Sequence, residues 1–292
     1  MKFFRLAVCI ALAAGLFHEA AASGFRTLDL GADARSASLG LTSLSADPGA
    51  NGYWNPAGLI QSGNQAVISM HRWFEDVQSG FLGISAGNGR QGFGFNVLYT
   101  GIGDIEYRLD QPTPDPIGTF SAHEWSAGVS YGRIISGSVS AGMTLKLLHE
   151  RIFIHETTGW GIDLGAAGAW NGFQIAGTIQ NLGRTGKLNR ESIDLPLAAR
   201  LGAGRSFESS FGRIWAVAEV VARESEPVHL HAGVELDLRG LAIRTGYQTG
   251  YDTRGLTAGL GLAWSRTKID YAYMPFSSGL GDSHRFSIGL TW

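Results

Sequence analysis

From Gln65 to the last residue the chain alternates apolar positions with small or polar ones at a period of two. Such alternation is the signature of half-buried strands. The clearest segments place on one face Phe93, Phe95, Val97 and Tyr99; Trp125, Ala127, Val129 and Tyr131; Val139, Ala141, Met143, Leu145 and Leu147; and Trp160, Ile162, Leu164, Ala166 and Trp170. Further on come Val228, Leu230, Ala232, Val234 and Leu236; Leu256, Ala258, Leu260, Leu262 and Trp264; Ile269, Tyr271 and Tyr273; and finally Phe286, Ile288, Leu290 and Trp292. The opposite faces carry Asn96, Ser138, Ser140, Lys146, Asp163, His229, His231, Glu235, Asp237, Asp270 and Arg285. About fourteen segments follow one another, centred at about 69, 82, 96, 127, 144, 164, 176, 200, 218, 233, 245, 260, 271 and 288. The facing is ambiguous at 69, 82 and 218.

A soluble sandwich also alternates, so three further features decide the class. The apolar face often begins or ends in Trp or Tyr, as an aromatic girdle at a membrane interface does. The segments run about nine to twelve residues, the length of a tilted membrane-crossing strand. Short connections alternate with long ones. The short ones are Asn88-Gly89, Ile134 to Gly137, Asn171-Gly172, Arg205 to Gly212, Arg239-Gly240 and Ser265 to Thr267, and Asn-Gly is the strongest two-residue hairpin signal. Asp104 to Phe120 (with Pro112, Pro114 and Pro116), Asn181 to Asp194 and Phe276 to His284 read as loops. Pro196, Pro227 and Pro275 fall near strand ends, where proline is tolerated. The expected fold is an all-β transmembrane antiparallel barrel of about fourteen strands over residues 65–292, with both ends of the chain periplasmic. Phe286, Ile288, Leu290 and Trp292 then face lipid.

Residues 23–64 do not alternate. They hold two helix starts: Asp47-Pro48, and Asn55-Pro56 within "YWNPAGL". In each, the Asp or Asn side chain can accept an orphan backbone N–H, and proline sits at the first helical position, where its missing N–H costs nothing. A barrel of this size leaves room inside, and its inward faces are rich in small residues such as Gly142, Gly165, Ala176, Gly202, Gly233, Gly246, Gly259 and Gly261. Residues 23–64 are therefore expected to form a small helical hatch in the lumen. Tyr53 and Trp54 are expected to pack on small wall residues.

Composition narrows the class. Charged residues are 16% of the chain and net charge is −2, so no nucleic-acid footprint is present. Glycine, 42 of 292 residues, is about twice its usual share. Lys2 and Arg5, the apolar run Leu6 to Phe17 and the small residues Ala20 to Ala22 read as a secretory signal peptide over 1–22. The single cysteine, Cys9, lies within it, so the exported chain has no disulfide. No stretch after residue 23 is long and apolar enough for a membrane helix.

"FRTLDLGADARSASLGLTSLSADPGANGYWNPAGL" resembles the N-terminal hatch of the FadL-like (long-chain fatty acid transporter) barrel superfamily, and within it most closely the PorV/PorQ family. The segments that carry the resemblance are Phe25 to Leu30, Gly31 to Leu41, Asp47-Pro48 and Asn55-Pro56-Ala57-Gly58. It implies fourteen strands and a hatch. It also implies a component of protein export or surface attachment, type IX secretion-like, or alternatively a gated diffusion channel for small hydrophobic molecules. The implied partners are outer-membrane lipid, the barrel-assembly machinery for which a terminal aromatic such as Trp292 is the signal, and secretion-system or exported proteins or hydrophobic small molecules. The short polar stretch "NLGRTGKLNRESID" departs from the apolar loops of fatty-acid channels.

Candidate chemistry changes little. "GNGRQG" (87–92) has the glycines of a dinucleotide turn, but a strand follows where that motif needs a helix. "GISAG" and "GVSYG" lack the strand-to-helix elbow and triad partners that a nucleophilic serine requires. His229, His231, Glu235 and Asp237 share one strand face, yet a single strand rarely completes a metal's ligand set. His149-Glu150 and His155-Glu156 flank a short loop and read as solvated. No catalytic residue, metal or cofactor is expected, and a barrel hydrolase would need an Asp/His or Ser/His/Asp cluster at the rim. The expected lumen charges balance, with Lys146, Arg200, Arg244, Lys268 and Arg285 against Asp163, Glu219, Glu235, Asp237 and Asp270. Balance of this kind fits pairing with a plug, through Arg26, Asp29, Asp33 and Arg35, better than an ion-selective ring.

Overall fold

The computed structural model describes residues 24–292 except 74–75, 110–113 and 225; the expected signal peptide lies outside them. Fourteen strands close into one antiparallel barrel. They are β1 (Gln65–Arg72), β2 (Gln78–Gly87), β3 (Gln91–Tyr107), β4 (Gly118–Ser136), β5 (Val139–Ile152), β6 (His155–Trp170), β7 (Phe173–Thr185), β10 (Ala198–Ser209), β11 (Gly212–Arg223), β12 (His229–Asp237), β13 (Leu241–Gln248), β14 (Leu256–Trp264), β15 (Thr267–Pro275) and β16 (Asp282–Thr291). A minor hairpin, β8 (Lys187–Leu188) and β9 (Glu191–Ser192), hangs outside the ladder. β1 pairs with β16 over Gln65↔Thr291 to Arg72↔His284 and seals the cylinder.

Every connection at one end is a tight turn, and the long connections gather at the other. At Asn171-Gly172 both residues have positive φ, 49° and 80°, the type I′ geometry that the dipeptide favours. Two turns are tighter than expected: β4 continues to Ser136 and β10 to Ser209, so the chain reverses at 137–138 and 210–211. The stretch 104–120 is not all loop. β3 runs on to Tyr107 and β4 begins at Gly118, with a register shift between Ile102 and Ile105 and Asp104 at φ 54°. An irregularity of this kind interrupts the alternation while the strand goes on. The strands span 8 to 19 residues rather than nine to twelve. β3 to β6 outreach the rest at the loop end, where Phe153 stacks on Tyr107 at 5.5 Å and meets Phe120 edge-on at 5.3 Å beside exposed Ile117 and Ile154.

Outward positions carry the apolar belt: Leu145, Leu164, Val234, Ile243, Leu260, Phe286, Ile288 and Leu290 are each exposed. A patch that encircles the molecule far exceeds what a soluble surface carries, and lipid is its solvent. No helix among the described residues is long and apolar enough to cross a membrane. Leu260 is 53% exposed near the middle of β14. Leu260→Arg should cost about 2–4 kcal/mol, read as a lowered urea midpoint for unfolding from phospholipid vesicles. A neutral effect would mean the belt has been placed on the wrong face of β14.

The ambiguous strands owe their ambiguity to the lumen. In β1, β2 and β11 the inward residues Val67, Phe81, Trp215, Val217 and Val221 are apolar and buried against the N-terminal segment. Both faces of these strands are therefore apolar, and the period-two contrast fades.

Candidate functional site: the occluded lumen

Residues 24–64 fold inside the barrel as short turns: 3-10 helix Arg26–Asp29, α1 (Ala34–Ser38), 3-10 helices Ser43–Ser45 and Pro48–Ala50, α2 (Asn51–Trp54) and 3-10 helix Pro56–Gln61. The segment starts near the loop end, where the Gly24 N–H donates to Asp194 O at 3.2 Å. It leaves at the tight-turn end beside β1. Asp47 caps Pro48–Ala50 through the Gly49 N–H at 3.0 Å, and Asn55 caps Pro56–Gln61 through the Ala57 N–H at 3.0 Å.

Several small wall residues meet hatch backbone, while Gly165 meets the Asn55 side chain and Gly202 that of Leu44. A Cβ at Gly87 or Gly92 would collide with Leu59 O, at Gly132 or Gly142 with Pro56, and at Gly246 with Gly40 N. At Gly261 a Cβ would strike Asp270 and Arg244 of the wall. Tyr53 and Trp54 stand elsewhere than on Gly and Ala. Tyr53 meets Phe81 edge-on at 5.6 Å and Trp54 at 5.4 Å, and its hydroxyl donates to Leu28 O. Trp54 lies under the Arg200 guanidinium at 5.0 Å, and its Nε1–H donates to Asp33 Oδ2 at 2.8 Å.

Three zones result. Toward the loop end Phe25, Leu28, Phe81, Leu98, Leu148, Leu195 and Met274 form an apolar compartment, with Tyr53 and Trp54 at its floor and Ile193 at its edge. The hatch itself fills it. Phe25 does so at φ 54°, a left-handed backbone unusual for a bulky residue.

The second zone is charged. Arg35 of the hatch pairs with Glu235 at 2.8 Å; Arg244 bridges Glu235 and Asp270 at 2.6 Å each; Lys268 reaches Asp270 at 3.4 Å and hatch Asp47 at 3.6 Å. Burial pushes the Asp47 carboxyl up, against the pull of Lys268. Arg200 pairs with Glu219 at 2.8 Å and donates to Leu41 O at 3.2 Å, while the Ser43 N–H donates to Glu219 at 2.9 Å. Arg223 holds hatch Asp29 at 3.0 Å. Arg285, fully buried, donates to Leu30 O at 2.8 Å. In the loop after β11, burial works against Glu226, yet the hydrogen bond from Arg26 and the charge of Arg223 hold its carboxyl below the ordinary range. Breaking one partner of such buried pairs costs about 3–5 kcal/mol, against about 1 kcal/mol for a neutral hydrogen bond.

Asn96, buried, lies beside Gly128 and Gly52. Asp237 sits at the tight-turn rim with Arg213 at 3.2 Å. His229 stacks on Tyr251 at 3.9 Å, and His231 Nε2 is 3.1 Å from the Tyr251 hydroxyl. The two histidines of β12 therefore pack against the loop residue Tyr251, and among the described residues no group of three or more His, Cys, Asp or Glu could hold a metal. Glu150 is not simply solvated, since its side chain reaches the hatch near Gly24.

The third zone is the wall at β7. Pairing with β6 continues to Thr185, through a bulge in which Gln180 and Asn181 together face Asp163. Pairing with β10 stops at Gln180↔Ala198. Beyond that point the expected 181–194 loop is strand, then the minor hairpin, then a segment that turns inward and buries Leu195. Asn181 adopts φ 66°, its N–H donates to Asp163 Oδ1 at 2.8 Å, its side-chain carbonyl accepts from Lys146, and its Nδ2 donates to Pro196 O at 2.8 Å. Thr185 donates to Ile193 O. Lys146 and Asp163, both buried, pair at 2.8 Å. Side-chain ties thus replace the backbone ladder along a seam that abuts the apolar compartment. No sequence signal announces the bulge beyond the asparagine, a residue that tolerates positive φ.

Below the hatch, at the tight-turn end, two chambers open. One, of about 430 Å³, is lined by Asp47, Arg213, Glu235, Asp237, Arg244 and Lys268. The other, of about 460 Å³, is lined by Asn55, Ala57, Ser140, Ala167, Gln174 and Ala176, with Arg35 its one charged side chain.

No family model and no curated protein matches the chain. Solved structures do. The P. putida toluene transporter TodX superposes with a TM-score of 0.65 at 12% identity, over 90% of this chain and 99% of that one. The monoaromatic hydrocarbon channel CymD gives 0.62 at 11% identity, over 89% and 96%, and a Pseudomonas aeruginosa FadL homologue 0.59 at 11%, over 88% and 97%. At these identities the likeness is one of fold.

Proposed function

We propose that the protein is a gated diffusion channel of the outer membrane for small hydrophobic molecules, non-enzymatic, with its long loops outside the cell and both chain ends periplasmic. The seam at β7 carries the reading: a kinked strand beside an apolar lumen compartment offers a way between that compartment and the lipid. The exposed Tyr107, Ile117, Phe153 and Ile154 at the loop end suit a surface that gathers apolar solutes, in place of the polar loops the sequence suggested. Phe25 and Leu28 occupy the compartment that such a solute would enter, held there by the Arg26–Glu226 and Asp29–Arg223 pairs. The solved channels that share the fold support this reading over a PorV/PorQ-type export component, for which the hatch motif is the only argument. Fold alone does not carry function, so the test is direct.

Cells or proteoliposomes bearing the protein should take up an uncharged apolar probe such as 1-N-phenylnaphthylamine at least severalfold faster than those without it. Deleting Asn181 brings β6 and β7 into continuous register, with Gln180 opposite Asp163 and Leu182 still opposite Ile162, and should cut that uptake severalfold while the barrel still folds. If the parent confers no uptake above the bare membrane, the channel reading falls.

A further inference from the structure

Two chambers open at the tight-turn end; they share Arg35, Leu44, Pro48 and Gln174 and differ in what else borders them. The charged one lies against the Arg35–Glu235–Arg244–Asp270 and Lys268–Asp47 pairs. A hatch movement there would strip buried charges of their partners. The alanine-lined one lies between the 3-10 helix Pro56–Gln61 and β5 to β7. Between it and the apolar compartment stands a single turn of hatch. Tyr53 and Trp54 face the compartment, and Asn55 faces the chamber. On this side two amides tie the turn to the wall: Asn55 Nδ2 donates to Ala166 O at 3.3 Å, and Gln180 Nε2 donates to Tyr53 O at 3.1 Å and Trp54 O at 3.4 Å. These two ties are neutral hydrogen bonds, which exchange with water at far smaller cost than buried ion pairs; the charged contacts of the turn are those of Trp54 with Asp33 and Arg200.

We infer that the alanine-lined chamber is a second, inner binding site, in series with the seam, through which a small uncharged molecule admitted to the compartment leaves the lumen, and that the charged chamber is no part of the route. Its volume falls within the range of small-molecule sites. Its alanines offer apolar surface, and Asn55, Gln174 and Ser140 offer hydrogen bonds without charge. It therefore suits a neutral, weakly polar solute no larger than one or two rings. The tyrosine and tryptophan of the turn form the inner gate, and Gln180 is its positioning residue, because it holds both their carbonyls while accepting from Arg200 Nε at 3.1 Å.

This rests on the channel reading, and the experiment separates the two. In a Cys9→Ser background, which leaves the chain free of cysteine, Ala167→Cys places a thiol in the alanine-lined chamber and Ala263→Cys one in the charged chamber. Each purified, folded barrel in proteoliposomes is treated with a bulky methanethiosulfonate, and uptake of 1-N-phenylnaphthylamine is followed before labelling, after it and after reduction. Attachment occurs after folding, so a failure to fold cannot mimic a block. The expected result is a tenfold or greater loss on labelling Ala167→Cys, restored by dithiothreitol, and less than a twofold change for Ala263→Cys. Undiminished uptake in labelled Ala167→Cys, or equal losses in both, overturns the inner site and leaves the channel reading standing. No uptake by the unlabelled parent removes both.

Discussion

Deleting residues 24–62 should turn the occluded barrel into an open pore, the largest change expected of any variant. The deletion removes every hatch turn but keeps Asn64, whose carbonyl accepts from the Trp292 N–H at 3.1 Å where the two ends of the wall meet. The wall's own closure, β1 on β16 and each strand on its neighbours, uses no hatch atom. Its inward charges largely pair among themselves: Lys146 with Asp163, Arg200 with Glu219, and Arg244 with Glu235 and Asp270. Arg223 and Arg285 lose hatch partners, but water enters the lumen and solvates them. The variant should therefore insert, remain heat-modifiable on gels and conduct in a planar bilayer at least tenfold above the parent. The milder Asn55→Ala, which removes a cap worth about 1 kcal/mol, should raise only the frequency of brief openings. A deletion variant that inserts normally yet conducts no more than the parent would show that this segment does not plug the pore.

Arg244→Leu should be the most costly point change in the lumen. The guanidinium is 1% exposed and sits 2.6 Å from each of two carboxylates. Removing it leaves Glu235 with Arg35 and Asp270 with the more distant Lys268, two buried carboxylates that no longer share a cation. Loss of one partner from such a network costs about 3–5 kcal/mol, so the urea midpoint for unfolding from vesicles should fall well outside error. Neutralising the neighbours as well, with Glu235→Gln and Asp270→Asn, should recover more than half of that loss, because the penalty lies in the orphaned charges. A loss under about 1 kcal/mol would mean that lumen water already solvates these carboxylates.

Much of this protein is written in local pattern. Period two needs only adjacent residues, so fourteen strands, the lipid face with Phe286, Ile288 and Leu290, and the inward placement of Lys146, Asp163, Arg244 and Asp270 follow from the chain alone. Capping is equally local: Asp47-Pro48 and Asn55-Pro56 start turns wherever they are put, because donor and acceptor lie two residues apart. What pattern could not determine depends on residues far apart in sequence. Tyr53 and Trp54 pack on Phe81 and Arg200 because the lumen brings them together, while glycines expected to meet them receive other groups instead, Pro56 at Gly142, Asn55 at Gly165 and Gly40 at Gly246. The strands beyond Ile102 and Gln180 survive a break in register, since hydrogen bonds to a neighbour hold them when alternation fails. The partners of Arg35 and Asp47 lie about two hundred residues away, and balanced charge says only that pairing is possible. The seam at β7 exists because the segment before Ala198 finds better burial inside, through Leu195, than in the ladder. That choice between two surroundings is made only once the barrel has closed around its hatch.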